Sequence, residues 1–174
     1  MPHFRGCGGE INRLPRAYHS GDAAEIDWIL RRAKAEAPEQ PLYVVAISLG
    51  GNATLKWLGE QGSEATRIAE AVATISAPVD LMAAGNILEV GFCKVYTWRF
   101  LRTMKAKSLI KLRQHPGIFR EQVMLRARTL REAAQSISHV VPFMELPDTM
   151  LDTGGKFTAS ALMAILVASS TNLD

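Results

Sequence analysis

Leu42-Tyr-Val-Val-Ala-Ile47 is an almost wholly apolar run that leads straight into Ser48-Leu-Gly-Gly-Asn52, and this junction constrains the fold more than any other part of the chain. Pro41 and Gly50 bound the run, whose length and β-branched content predict a strand buried on both faces in a parallel sheet. From Gly51 onward, Leu55, Trp57 and Leu58 return at helical spacing as far as Gly62. Ala69 to Ser76 predicts a second buried strand, ended by Pro78. Upstream, Ser20 or Asp22 can cap a helix carried by Ile26, Ile29, Leu30, Ala33 and Ala37 and closed by Pro38 and Pro41. Helix, strand, helix, strand is the signature of the α/β class with a parallel sheet.

Between Asp80 and Ser136 the strand signals stop, and the pattern is helical with breaks near Gly91 and at Pro116-Gly117. Three segments are therefore expected: an α/β core over 1–79, a helical insertion over 80–136, and a tail over 137–174 to which no structure is assigned. Within that tail Val140-Val-Pro-Phe143 is briefly apolar, Pro147 to Lys156 is turn-rich, and Phe157 to Ser169 is a weak apolar run.

A composition of 48% hydrophobic and 21% charged residues over 174 positions fits one folded core and excludes a disordered or fibrous chain. The formal charge of +3 conceals an asymmetry. Val90 to Arg120 holds eight basic residues, Lys94, Arg99, Arg102, Lys105, Lys107, Lys111, Arg113 and Arg120, and no acid. That segment can face solvent, a membrane surface or another polyanion, and a solvated face is the favoured reading. Cys7 and Cys93 have neither metal-ligand nor redox-motif spacing, so they read as free thiols in a reducing compartment, which points to the cytoplasm. Met1-Pro-His-Phe-Arg has no apolar core of a secretory signal, and Ala159 to Ala168 is about half the length a membrane span needs. No span, metal or cofactor is expected.

Ala46-Ile-Ser-Leu-Gly50 stands between a strand and a helix start, which is the setting of a nucleophile elbow. In such an elbow the sharp turn lifts the serine oxygen above the sheet, and small flanking residues relieve the crowding. Ala46 stands where the G-x-S-x-G pattern has its first glycine, and Gly50 keeps the second. The backbone N–H of Leu49, at the helix start, would supply half of an oxyanion hole. The alternative is that Ser-Leu-Gly-Gly merely ends a strand. A serine needs a histidine base held by a carboxylate, in the order Ser, acid, His in this arrangement. His115 and His139 lie downstream, with Asp80, Glu89, Glu121 and Glu132 between Ser48 and His139, while His3 and His19 precede the serine. None is in a setting that marks it as the base, and none is assigned.

His3-Phe-Arg-Gly-Cys-Gly-Gly-Glu10, Asn12-Arg-Leu-Pro-Arg-Ala-Tyr-His-Ser-Gly21, Ser48-Leu-Gly-Gly-Asn52, Ile75-Ser-Ala-Pro-Val-Asp80 and Ala127-Arg-Thr-Leu-Arg-Glu132 together resemble the YheT-like esterases. These form a branch of the α/β-hydrolase superfamily related to the lipid-cleaving ABHD enzymes. The resemblance covers about residues 1–132 and implies a partial α/β-hydrolase fold with a helical cap. It also implies Ser48 as nucleophile, Leu49 as the oxyanion-hole amide, and carboxylic-ester cleavage without metal or cofactor. Ala46 departs from the usual glycine, the strands and oxyanion loop that normally precede His3 are not in the chain, and the match ends after Glu132. Read from their third base, the codons for Val141 to Glu145 permit Pro-Leu-His-Gly, and those for Asp152-Thr-Gly154 permit Tyr-Trp, both similar to the family. A shifted reading frame is therefore expected to make the tail from about residue 133 foreign to the sheet, with the acid and histidine of the family lost.

The expected function is a cytoplasmic carboxylesterase-type serine hydrolase acting on a small-molecule or lipid ester, incomplete in this chain. The alternatives are an inactive fragment of such an enzyme, or a basic cap helix, Lys94 to Arg113, that makes peripheral contact with lipid. Nucleic acid is not expected as a partner, and the oligomeric state is left open.

Overall fold

A computed structural model describes residues 1–137 and, for the backbone alone, 166–169. The rest of the 137–174 tail, including His139 and the segments tied to a shifted frame, lies outside the described residues. The described chain falls into two compact units. One holds Met1–Pro2, Ser20–Val79 and the strand at 166–169, and the other holds His3–His19 and residues 80–137.

In the first unit the Asp22 carboxylate accepts from the Glu25 N–H at 3.4 Å and caps helix α1, Ala23–Glu36. Strand β1, Tyr43–Ile47, runs parallel to β2, Ala71–Ile75, with Tyr43 opposite Ala71 and Ile47 opposite Ile75. Helix α2, Leu49–Gln61, and a 3-10 turn, Gly62–Arg67, connect them. A further strand, β3, Leu166–Ser169, pairs antiparallel with β2 and gives the order β1-β2-β3. The parallel pair with its helices is a partial α/β fold.

Trp57 is fully buried and centres the core, with Ala23, Leu30, Ala65, Ile68, Ala69 and Val72 around it. Burying an indole of this kind contributes roughly 4–6 kcal/mol from its apolar area. Its ring N–H does not go unsatisfied, because it donates to Asp27 Oδ1 at 2.9 Å.

One expectation fails here. β1 is not buried on both faces: Val44 packs on the core, but Tyr43, Val45 and Ile47 are 65%, 65% and 61% exposed. Strand side chains alternate, and the core that α2 builds against the sheet, with α1 packed on α2, takes in Val44 and not its neighbours. The uniformly apolar sequence records that both faces suit burial, whereas the described residues supply a cover for one.

The second unit is helical between Asp80 and Ile137: α3, Leu81–Leu88, α4, Lys94–Gln114, α5, Glu121–Arg126, and α6, Leu130–Ser136, with a 3-10 turn at Gly91–Cys93. Leu101, Phe119, Met124, Ala127 and Ala133 form its core. Among the described residues no helix is long and apolar enough to cross a membrane.

Candidate active site

Ser48 sits between the last residue of β1 and the first of α2, exposed, with φ 52° and ψ −123°. A side chain in that region of φ is strained by about 1–3 kcal/mol, and the surroundings have to hold it there. Three sets of contacts do so. The Ser48 N–H donates to the Ile75 carbonyl at 2.8 Å, extending the parallel pairing one residue past β1. The Ser48 carbonyl accepts from the Asn52 N–H at 3.1 Å, the first bond of the helix. Gly51 lets that helix lie against the end of the sheet: a Cβ built on it would stand 2.7 Å from Ala77 Cβ and 3.3 Å from both the Ala46 oxygen and Thr74 Cβ.

Asn52, buried, binds the neighbouring loops to this turn. Its Oδ1 accepts from the Gly21 N–H at 2.9 Å and its Nδ2 donates to the Pro78 carbonyl at 2.8 Å. The segments before α1 and after β2 are thus fixed to the helix that follows Ser48. The sequence contains Asn52 in the motif, but its role of joining residues 26 and 31 positions away had no sequence signal.

Leu49 is the first residue of α2, so its N–H is among the helix-start donors that lack an intrahelical acceptor and lie at the positive end of the helix dipole. The Ser48 side chain makes no capping hydrogen bond to the helix, so its hydroxyl is not tied up in a cap. Ser76, which ends β2 as Ser48 ends β1, is also exposed and also has φ 52°. Two serines at the carboxyl ends of paired parallel strands stand where open α/β sheets commonly bind ligands.

Several of the acids and histidines weighed from the sequence have other partners. Asp80 caps α3 by accepting from the Ala83 N–H at 2.8 Å. Thr129 and Glu132 cap α6, the hydroxyl accepting from the Glu132 N–H at 3.1 Å and the carboxylate from the Arg128 N–H at 2.7 Å. Glu121 occupies the first turn of α5 and Glu89 the C-cap of α3. His115 ends α4, with Nε2 2.8 Å from the Arg13 carbonyl. His3, His19 and His115, like these acids, belong to the second unit, and the described residues of the Ser48 unit contain no histidine.

Within the second unit, Lys111 is buried and its Nζ donates to the Asn12 and Leu14 carbonyls, anchoring the loop that the glycines of 6–9 begin. Burial lowers its pKa. Tyr18 stacks on Phe4 at 5.3 Å, and its phenol is pushed up to about 12 by burial and then by the neighbouring Cys7 thiol. Among the described residues no group of three or more His, Cys, Asp or Glu could hold a metal ion.

The chain is 39% identical over 115 residues to the protein named "Putative esterase YheT" of Escherichia coli (strain K12), a match covering 66% of this chain and 33% of that protein. It is 26% identical over 141 residues to Phospholipase ABHD3 of Homo sapiens, covering 79% of this chain and 33% of the relative. The Mus musculus Phospholipase ABHD3 is 26% identical over 132 residues, covering 74% and 31%. The chain spans about a third of the length of these curated relatives. No protein-family profile and no solved structure matches it. The relatives point to the α/β-hydrolase superfamily over the part of the chain they cover.

Proposed function

From a chain related over part of its length to hydrolases of the α/β class, we infer that it carries the nucleophile segment of a carboxylesterase-type serine hydrolase, with Ser48 as the nucleophile. The observation that carries this reading is the strained backbone of Ser48, φ 52° at a strand-to-helix turn with the side chain exposed. Ser76 shares the φ of 52° at the end of β2, but only at Ser48 does a helix begin at the next residue, which sets the Leu49 N–H beside the serine.

In this reading Ser48 Oγ attacks the acyl carbonyl of an ester while its proton passes to a histidine base. The carbonyl oxygen takes the negative charge and is met by the Leu49 N–H. Collapse of the tetrahedral intermediate breaks the ester C–O bond, the alcohol leaves with the proton, and an acyl-serine remains. Water then attacks the acyl-serine with the same base, releasing the acid and restoring the hydroxyl. The described residues of the Ser48 unit contain no histidine, so in this reading the base comes from outside them. The substrate class is a small-molecule or lipid carboxylic ester. Two relatives named as phospholipases favour the lipid side of that class. The cytoplasm is the proposed compartment.

Labelling with a fluorophosphonate probe tests the reading, with limited proteolysis run on the same samples to establish that the chain is folded. Labelling of the parent and none of Ser48→Ala is the expected result. Equal labelling of both removes Ser48 from the nucleophile role, whereas a folded parent that does not label lacks the base that would activate the serine.

A further inference from the structure

Helix α4 has one face that its own unit uses and one that it does not. Thr97, Leu101, Ser108 and Lys111 are buried on the first. On the opposite side Val95, Trp98, Arg99, Arg102, Ile110 and Arg113 follow one another at helical spacing, and all are exposed. The 3-10 turn just before the helix adds Phe92, 84% exposed, and Trp98 is 62% exposed. The Arg102 guanidinium lies 5.7 Å from the centre of the Trp98 ring, so cation and aromatic form one surface feature. From Val90 to Arg120 there is no acid to neutralise the eight cations.

We propose that this face, led by Phe92, Val95, Trp98, Arg99 and Arg102, docks the chain peripherally onto an anionic membrane surface. Charge complementarity selects that occupant. A second copy meeting the same face would oppose arginine to arginine, which like-charge repulsion disfavours. A nucleic acid would satisfy the cations and stack on Phe92 and Trp98, but it would leave the aliphatic Val95 and Ile110 in water. At a bilayer both needs are met together. Phe92, Val95 and Trp98 enter the boundary between headgroups and acyl chains, and the arginines reach the lipid phosphates from above. The helix lies in the plane of the surface, and its apolar content does not allow it to cross. The docking is independent of the role given to Ser48.

Flotation of the purified chain with phosphatidylcholine vesicles, with and without phosphatidylglycerol, tests this at low salt. The chain is expected to float with the anionic vesicles and to be released as salt rises. Phe92→Ala with Trp98→Ala should weaken partitioning at least tenfold, roughly the loss of two buried aromatic groups. Each of Arg99→Gln and Arg102→Gln should weaken it about fivefold. These positions are exposed, so proteolytic resistance should be unchanged, and the exposed Arg120→Gln and Arg126→Gln, at the cap and in the last turn of α5, serve as charge-matched controls off this face. Failure to float with anionic vesicles overturns the proposal. So does flotation that the face variants and the controls weaken equally, which would reveal diffuse charge adsorption. Retention on a polyanionic nucleic acid without flotation, or a dimer that the face variants dissolve, would assign the face to one of the other occupants.

Discussion

A Cβ on Gly51 would stand 2.7 Å from the Cβ of Ala77, closer than two side-chain carbons approach, so the residue after Leu49-Gly50 has to lack a side chain for α2 to seat against the end of β2. The helix position and the strained turn at Ser48 therefore depend on one another. Gly51→Ala is expected to destabilise the chain by about 1–3 kcal/mol through overpacking, although alanine is the better helix former. Denaturant midpoints of the two proteins decide this; an unchanged or higher midpoint would mean that the helix is not held at that distance.

Asn52 should matter more than its small size suggests. Asn52→Ala removes two hydrogen bonds and leaves the Gly21 N–H and the Pro78 carbonyl without these partners, an expected cost of about 2–4 kcal/mol. Asn52→Asp keeps an acceptor for Gly21 but sets a buried carboxylate oxygen against the Pro78 carbonyl, so it should cost at least as much as the alanine variant. Hydrogen exchange at Gly21 is the more specific measurement, because its amide should lose protection in the alanine variant and keep part of it in the aspartate variant.

Thr74, on β2, has a buried hydroxyl that finds no hydrogen-bond partner among the described residues. Thr74→Val replaces that hydroxyl by a methyl of similar shape and preserves the β-branched form suited to a strand. The expected outcome is a gain of about 1 kcal/mol, since a buried unsatisfied polar group is removed. A thermal melt showing loss instead would place an unseen partner, such as an ordered water, at the hydroxyl.

Asp27 ties stability to acid. Its carboxylate is held below the usual range, first by the hydrogen bond from Arg31 and then by that from the Trp57 ring, against a smaller opposing effect of burial. A depressed folded-state pKa makes a contribution that is present above the unfolded value near about 3.9 and is lost as pH falls through the lower folded value. Asp27→Asn should therefore flatten the acid side of the stability profile while still accepting from Trp57. Asp27→Ala should cost about 1–3 kcal/mol at neutral pH as well, because the Trp57 N–H is then left buried and unpaired. Urea midpoints measured across the acid range separate the two variants.

The order α1, β1, α2, β2 was legible in the chain, because 3.6-residue spacing around Leu30 and Trp57 and short apolar runs at 42–47 and 69–76 leave little choice of element. Asp22 rather than Ser20 proved to be the cap of α1, a decision that rests on a shift of two residues and on which side chain reaches the Glu25 N–H. The strand boundaries moved inward, to Tyr43 and to Ala71, as the ladder of hydrogen bonds dictates. The placement of Ser48 at a strand-to-helix junction could also be read directly, since it follows from local pattern alone.

What sequence by itself determined is thus the class of each element and the position of the serine between two of them, because both are written in the spacing of neighbouring residues. Tertiary structure alone decided the positive φ of Ser48, the contact of Gly51 with Ala77, the two bonds of Asn52 and the exposure of Tyr43, Val45 and Ile47. Each of these depends on residues far apart in the chain or on which face a neighbouring element covers. Local pattern records how apolar a side chain is, but only packing settles what it meets.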